Sequence, residues 1–72
     1  MNKKEKIALL EETFETDTGK LSPDMVLDDL DEYDSLSKLA LIVMIEDHFG
    51  KKITAKNIRS FVTVQDILDI ME

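Results

Sequence analysis

Residues 33–50 read YDSLSKLALIVMIEDHFG, a polar opening that runs into seven successive apolar positions, Leu39 to Ile45, and closes on a glycine. At 100° per residue such a run wraps the whole circumference of an α-helix. One face must then enter a core, and another is either covered by a neighbouring segment or left exposed. Asp34 suits the N-cap, because its carboxylate can accept from a backbone N–H of the next turn and its charge matches the positive end of the helix dipole. Gly50 suits the position just past the last turn. The spacing predicts a helix over about 35–49 whose first residue, Ser35, follows a concentration of negative charge. Serine is common in first turns, so position alone makes Ser35 an ordinary N1 residue.

Upstream, Ile7, Leu10 and Phe14 recur at helical spacing with Lys and Glu between them, which predicts an amphipathic helix over about 3–15, with Gly19 just beyond its end. From 17 to 34 that period is lost, and Gly19, Ser22-Pro23 and several aspartates favour a loop. This connection is longer than an ordinary helix-to-helix link, and long loops in small domains are functional or disordered. Met25, Val26, Leu27 and Leu30 argue for order, since they can anchor the loop on the bundle. Downstream, Thr54 and Thr63 suit the caps of two short helices, over 55–60 and 64–71. Ile58 and Phe61 can pack from the first, and Val64, Ile67, Leu68 and Met71 form the apolar stripe of the second. The fold class is therefore all-α: a four-helix bundle with a long loop between helices one and two and a short third helix, in a single domain over 1–72. Phe14, Ile42, Phe49, Phe61 and Ile67 are the expected core.

Seventy-two residues bury a core only marginally sufficient for folding alone. The absence of cysteine excludes disulfides and thiolate metal sites, and leaves the chain without a thiol of its own. The apolar run near the N-terminus, Ile7-Ala8-Leu9-Leu10, is far too short for a signal-peptide core or a membrane span, so a cytoplasmic location is expected. The net charge of −7 is unevenly placed: ten acidic residues lie between Glu11 and Asp34, offset only by Lys20. Nucleic acid and anionic membrane surfaces are repelled by such a field, whereas a partner with a basic face is steered toward it. A solvated acidic surface without any partner produces the same composition.

Catalysis by the chain itself has little support. A serine nucleophile needs a base oriented by a third group, and His48, the one histidine, lies about 20 Å from Ser35 along the same predicted helix. Asp29 and Asp31 open like a calcium loop, but Tyr33, Asp34 and Ala40 occupy the positions that would need an oxygen ligand, a glycine and a glutamate. No metal site is expected. Ser35 offers a different chemistry, because a hydroxyl beside unpaired N–H groups at a helix start is a setting that stabilises a phosphate ester.

Asp34-Ser35-Leu36, the long apolar helix after it, the Glu46-Asp47-His48-Phe49-Gly50 ending, Ile53-Thr54 and the late Thr63-Val64-Gln65-Asp66 together resemble an acyl carrier protein over nearly the whole chain. The resemblance implies a non-enzymatic carrier whose Ser35 receives 4′-phosphopantetheine from coenzyme A, through a phosphopantetheinyl transferase and a divalent metal. Acyl groups then ride as thioesters on the arm, and a chain without cysteine acquires its thiol from a prosthetic group. It further implies that Asp34 caps the helix and helps the transferase hold its metal. Leu36, Met44, Glu46 and Asp47 would meet a monomeric carrier's partners, acyl-activating or acyl-transfer enzymes with basic docking patches. The sequence departs from the housekeeping fatty-acid pattern: Asp31-Glu32-Tyr33 precedes Asp34 in place of a nearby glycine, and Ser37, Lys38 and Ala40 replace acids in the first turns. An aromatic just before Asp34 looks more like a stand-alone carrier of a specialised pathway. The alternative is a small acidic helical adaptor without a prosthetic group.

Overall fold

A computed structural model describes residues 2–71; Met1 and Glu72, the ends of the domain expected over 1–72, lie outside the described residues. Helix α1 spans Lys3–Thr13. Asn2 starts it with a reciprocal box: its side chain accepts from the Glu5 N–H at 2.8 Å, and the Glu5 carboxylate accepts from the Asn2 N–H at 3.2 Å. The helix stops two residues earlier than its apolar spacing suggests. Thr16 N–H bonds the Glu11 carbonyl at 2.9 Å and Glu15 N–H bonds the Glu12 carbonyl at 3.2 Å, the paired closure of a left-handed helix stop. Glu15, at φ 55°, occupies the position where glycine is usual.

The long connection is ordered, and its backbone explains why. Leu27 N–H donates to the Val62 carbonyl, Val64 N–H to the Met25 carbonyl and Gln65 N–H to the Pro23 carbonyl, at 2.9, 3.0 and 2.9 Å. These bonds include one antiparallel bridge, Val26 with Thr63, and they tie the loop to the connection between the last two helices and to the first turn of the last one. A single 3-10 turn, Leu27–Asp29, inserts Leu27 fully into the core, with Met25 and Leu30 packed against it. Val26 contributes its backbone and leaves its side chain exposed.

Helix α2 covers Ser35–Phe49 and ends on Gly50 at φ 67°, as its sequence predicts. Helix α3, Ala55–Ser60, is capped by Thr54 paired reciprocally with Asn57. Helix α4, Val64–Ile70, begins where the Asp66 carboxylate receives the N–H groups of Val62 and Thr63, at 2.8 and 3.0 Å, which lower its pKa. Met71 falls just past α4 rather than within it, yet stays buried. No strand is present among the described residues. The core gathers Leu10 from α1 and Phe14 just past its end, Leu41 and Ile45 from α2, and Val64, Ile67 and Leu68 from α4. Of the five core residues expected from sequence, Phe14 and Ile67 are buried, whereas Ile42, Phe49 and Phe61 are half-buried and pack on the margin. Leu41 and Ile45 define the inward face of α2, and they rotate Ile42 and Phe49 toward its flank.

Candidate functional site

The head of α2 is built by three sets of hydrogen bonds. Asp34, in extended backbone conformation, accepts from the Ser37 N–H at 2.9 Å through its side chain and from the Lys38 N–H at 3.0 Å through its carbonyl. The Ser37 N–H is the main cause that holds the Asp34 carboxyl below its ordinary range. Ser37 is buried, and its hydroxyl donates to the Glu32 carbonyl. The Glu32 carboxylate in turn accepts from the Lys20 ammonium and from the Thr16 hydroxyl at 2.7 Å. Lys20 first, and then Thr16, depress its pKa from 4.5 to about 2. This chain of contacts fixes the α2 start to both ends of the long loop. Tyr33 adds an edge-to-face contact with Phe14, centroids 5.6 Å apart, while the Lys38 ammonium sits 5.1 Å above its ring.

Ser35 stands exposed at the top of this frame, one residue past the cap. Among the described residues its hydroxyl makes no hydrogen bond, and the Asp34 carboxylate is the acceptor nearest the first N–H groups of the helix. Two grooves open at the head of α2, and Ser35 lines one of them. Toward α1, Glu15, Glu32 and Asp34 share a groove of mixed polarity with Phe14, Leu36 and Ala40, and Ser35 is not part of its lining. Toward α3, a groove of about 390 Å³ has Ser35 and Lys38 on one wall, Arg59 on the other, and Leu39, Ile42 and Ile58 as its apolar lining. His48 lies in the last turn of α2, at the opposite end from Ser35, so the two cannot act together. Among the described residues no three His, Asp or Glu side chains are placed to hold a metal ion, and no helix is long and apolar enough to cross a membrane.

A family model described as "Phosphopantetheine attachment site" matches residues 7–71. The chain belongs to this family, as an acyl carrier protein. An acyl carrier protein of Micrococcus luteus is 34% identical over 56 residues, which cover 78% of this chain and 69% of that protein. Another, of Myxococcus xanthus, is 34% identical over 55 residues, covering 76% and 70%. The solution structure of a holo acyl carrier protein from Geobacter metallireducens superposes with a TM-score of 0.74 at 26% identity, covering 99% of this chain and 83% of that one. The protein is thus a carrier and not an enzyme, and phosphopantetheine is its covalent cofactor. The exposed Ser35 hydroxyl, at the wall of the open groove toward α3, fits such a group sterically.

The structure divides the residues expected to meet partners of the carrier. Leu36 is 77% exposed, and Glu46 and Asp47 are also exposed. Met44 is only 7% exposed and packs in the core, and it reaches the surface only as part of the lining of a groove between α1 and α2, with Leu39, Val43 and Asp47. Ser37 is likewise turned inward by its bond to the Glu32 carbonyl, so it lends little surface to a partner. Two residues that sequence reasoning did not single out take their place: Leu39 and Val43, 61% and 56% exposed, continue the face of Leu36 toward Asp47. The signal was present in the seven-residue apolar run, which has more apolar positions than one buried face can absorb. Glu32 was missed as well, and for it no local signal exists, because its partners Thr16 and Lys20 are remote in sequence.

Proposed function

We propose that Ser35 is the attachment residue, and that the chain is a single carrier domain shuttling one thioester-bound acyl group in a specialised pathway. The observation that carries the assignment is the exposed, unbonded Ser35 hydroxyl at the head of a helix held rigid by Asp34, Ser37 and Glu32. When bound, phosphopantetheine supplies the terminal thiol that this cysteine-free chain lacks. The protein's own residues hold the hydroxyl out for modification. Asp34 caps α2 and, exposed at its head, is placed to help the transferase hold its divalent metal. The Glu32 contacts keep the loop from folding over Ser35. A monomer in the cytoplasm, where coenzyme A is at hand, completes the reading.

The exposed face of α2 supports the specialised assignment. Leu36, Leu39 and Val43 make it apolar, and its acids, Glu46 and Asp47, come only at the far end. Long-range steering by such a face is weak, so partners are selected by apolar fit with a basic contact near Asp47. A phosphopantetheinyl transferase and a dedicated acyl-activating or acyl-transfer enzyme are the implied partners.

The direct test is intact mass after incubation with coenzyme A, Mg²⁺ and a broad-specificity transferase. One phosphopantetheine should be added, and Ser35→Ala should abolish the addition while leaving the helical spectrum unchanged. An adduct that survives Ser35→Ala would overturn the assignment. For the pathway, Ala40→Glu with Val43→Glu places acids on exposed positions of α2 and should speed association with housekeeping elongation enzymes at low salt. Elongation by the unmutated holo protein at the rate of a housekeeping carrier would refute the specialised reading.

A further inference from the structure

The two grooves at the head of α2 differ in charge, and Ser35 lines only the one toward α3. Glu15, Glu32 and Asp34 line the one toward α1, whereas Lys38 and Arg59 rim the one toward α3. This is unusual ground for a chain of net charge −7: from Gly50 to Gln65 there is no acidic residue, and Lys51, Lys52, Lys56 and Arg59 lie within that span. Among the described residues the one ion pair is Lys20 with Glu32, so neither Lys38 nor Arg59 is neutralised by a carboxylate. Lys38 stands three residues after Ser35, on the neighbouring position of the same helix surface. Its ammonium is already gathered over the Tyr33 ring, close to the head of α2. Arg59 faces it across the groove from the last turn of α3.

We infer that Lys38 and Arg59 form a cationic clamp for the phosphodiester of the arm, drawing it from Ser35 into the α3-side groove. The inference rests on Ser35 as the attachment residue. A phosphodiester on the Ser35 oxygen carries one negative charge on two free oxygens, which a guanidinium fork can accept side by side while an ammonium supplies a point charge. On the other side it would face the carboxylates of Glu15 and Asp34, and that of Glu32, which Lys20 already pairs. The clamp orients the first bonds of the arm, and therefore the side of α2 from which a partner must approach the thioester.

The experiment compares apo and holo protein, with conversion completed by coenzyme A, Mg²⁺ and transferase and verified by mass. Conversion should shift the Arg59 side-chain N–H resonance and the Lys38 terminal methylene signals, with the Lys56 signals unmoved. The phosphorus resonance of the holo protein should move on Arg59→Gln. The difference in Tm between holo and apo protein should be smaller in Lys38→Gln/Arg59→Gln than in the parent by about 2–5 °C at low salt, and this gap should close in 0.5 M NaCl. Lys56→Gln, which removes an α3 cation outside the groove, should leave the Tm difference unchanged. Full conversion at Ser35 with unmoved Arg59 and Lys38 signals, or an equal Tm difference in the double variant, overturns the clamp and leaves the attachment residue standing. Absence of any adduct overturns both.

Discussion

Glu11 looks in the sequence like one more solvated acid, yet it is 4% exposed and one of its oxygens receives two backbone N–H groups of the long loop. Gly19 N–H approaches to 2.7 Å and Leu21 N–H to 3.1 Å. Glu11→Ala would leave the buried Leu21 donor unpaired, at about 1–3 kcal/mol, and the partly buried Gly19 donor less severely affected; together about 2–4 kcal/mol are lost. A chain of this size has roughly 4–11 kcal/mol in all, so the variant should approach the edge of folding. At about 4–8 °C per kcal/mol its Tm should fall by at least ~8 °C. Glu11→Gln retains an acceptor oxygen and should lose only about 1 kcal/mol, the charge-assisted part of the two bonds. Glu12→Ala, next to it but exposed, should stay within about 0.5 kcal/mol of the parent. Urea titration followed by helical circular dichroism measures all three. Amide exchange adds a local readout, since Leu21 should lose protection in Glu11→Ala ahead of the α2 amides. If Glu11→Ala and Glu12→Ala unfold at the same urea concentration, the loop is not held by this carboxylate and the reasoning fails.

Glu15 sits at φ 55°, which costs a non-glycine residue about 1–2 kcal/mol; Glu15→Gly recovers it less about 0.5–1 kcal/mol of unfolded-state freedom. The variant should be more stable by about 0.5–1 kcal/mol in urea titration, with Glu15→Gln as the control for the lost charge, and a loss of stability would show that the helix stop is different. Glu32 is depressed to about 2 from 4.5 by Lys20 and Thr16, so its stabilisation is fully present above pH 4.5 and is lost as pH falls toward 2. Urea midpoints of Glu32→Gln across pH 2–7 should therefore fall less steeply over that window than those of the parent; parallel curves would contradict the contact. Phe14 is buried and Phe49 only half-buried, so Phe14→Ala should cost about 3–5 kcal/mol and Phe49→Ala about 2. The reverse order in thermal melts would mean that α2 is rotated from its described placement.

Residues three or four apart along one helix needed nothing but the sequence. Asp34 with Ser37 and Thr54 with Asn57 close their hydrogen bonds within a single turn, so the helix starts they define were legible from side-chain chemistry, as was the Gly50 stop. The stripe Val64, Ile67, Leu68 and Met71 was legible for the same reason, because period alone assigns its face. The end of α1 was not, since a glutamate in left-handed conformation gives no glycine signal. The rotation of α2 was also beyond the sequence. An apolar run that encircles the helix makes every face a candidate core, and only packing against α1 and α4 chose Leu41, Met44 and Ile45 for burial and left Leu36, Leu39 and Val43 outside. Burial of Glu11, the Glu32 contacts with Thr16 and Lys20, and the meeting of Ser35 with Lys38 and Arg59 at one groove depend on where the loop and α3 come to rest. Sequence dictated the local turns because their partners are covalently close; tertiary structure decided charge environment and exposure because those depend on groups brought together only when the apolar faces close.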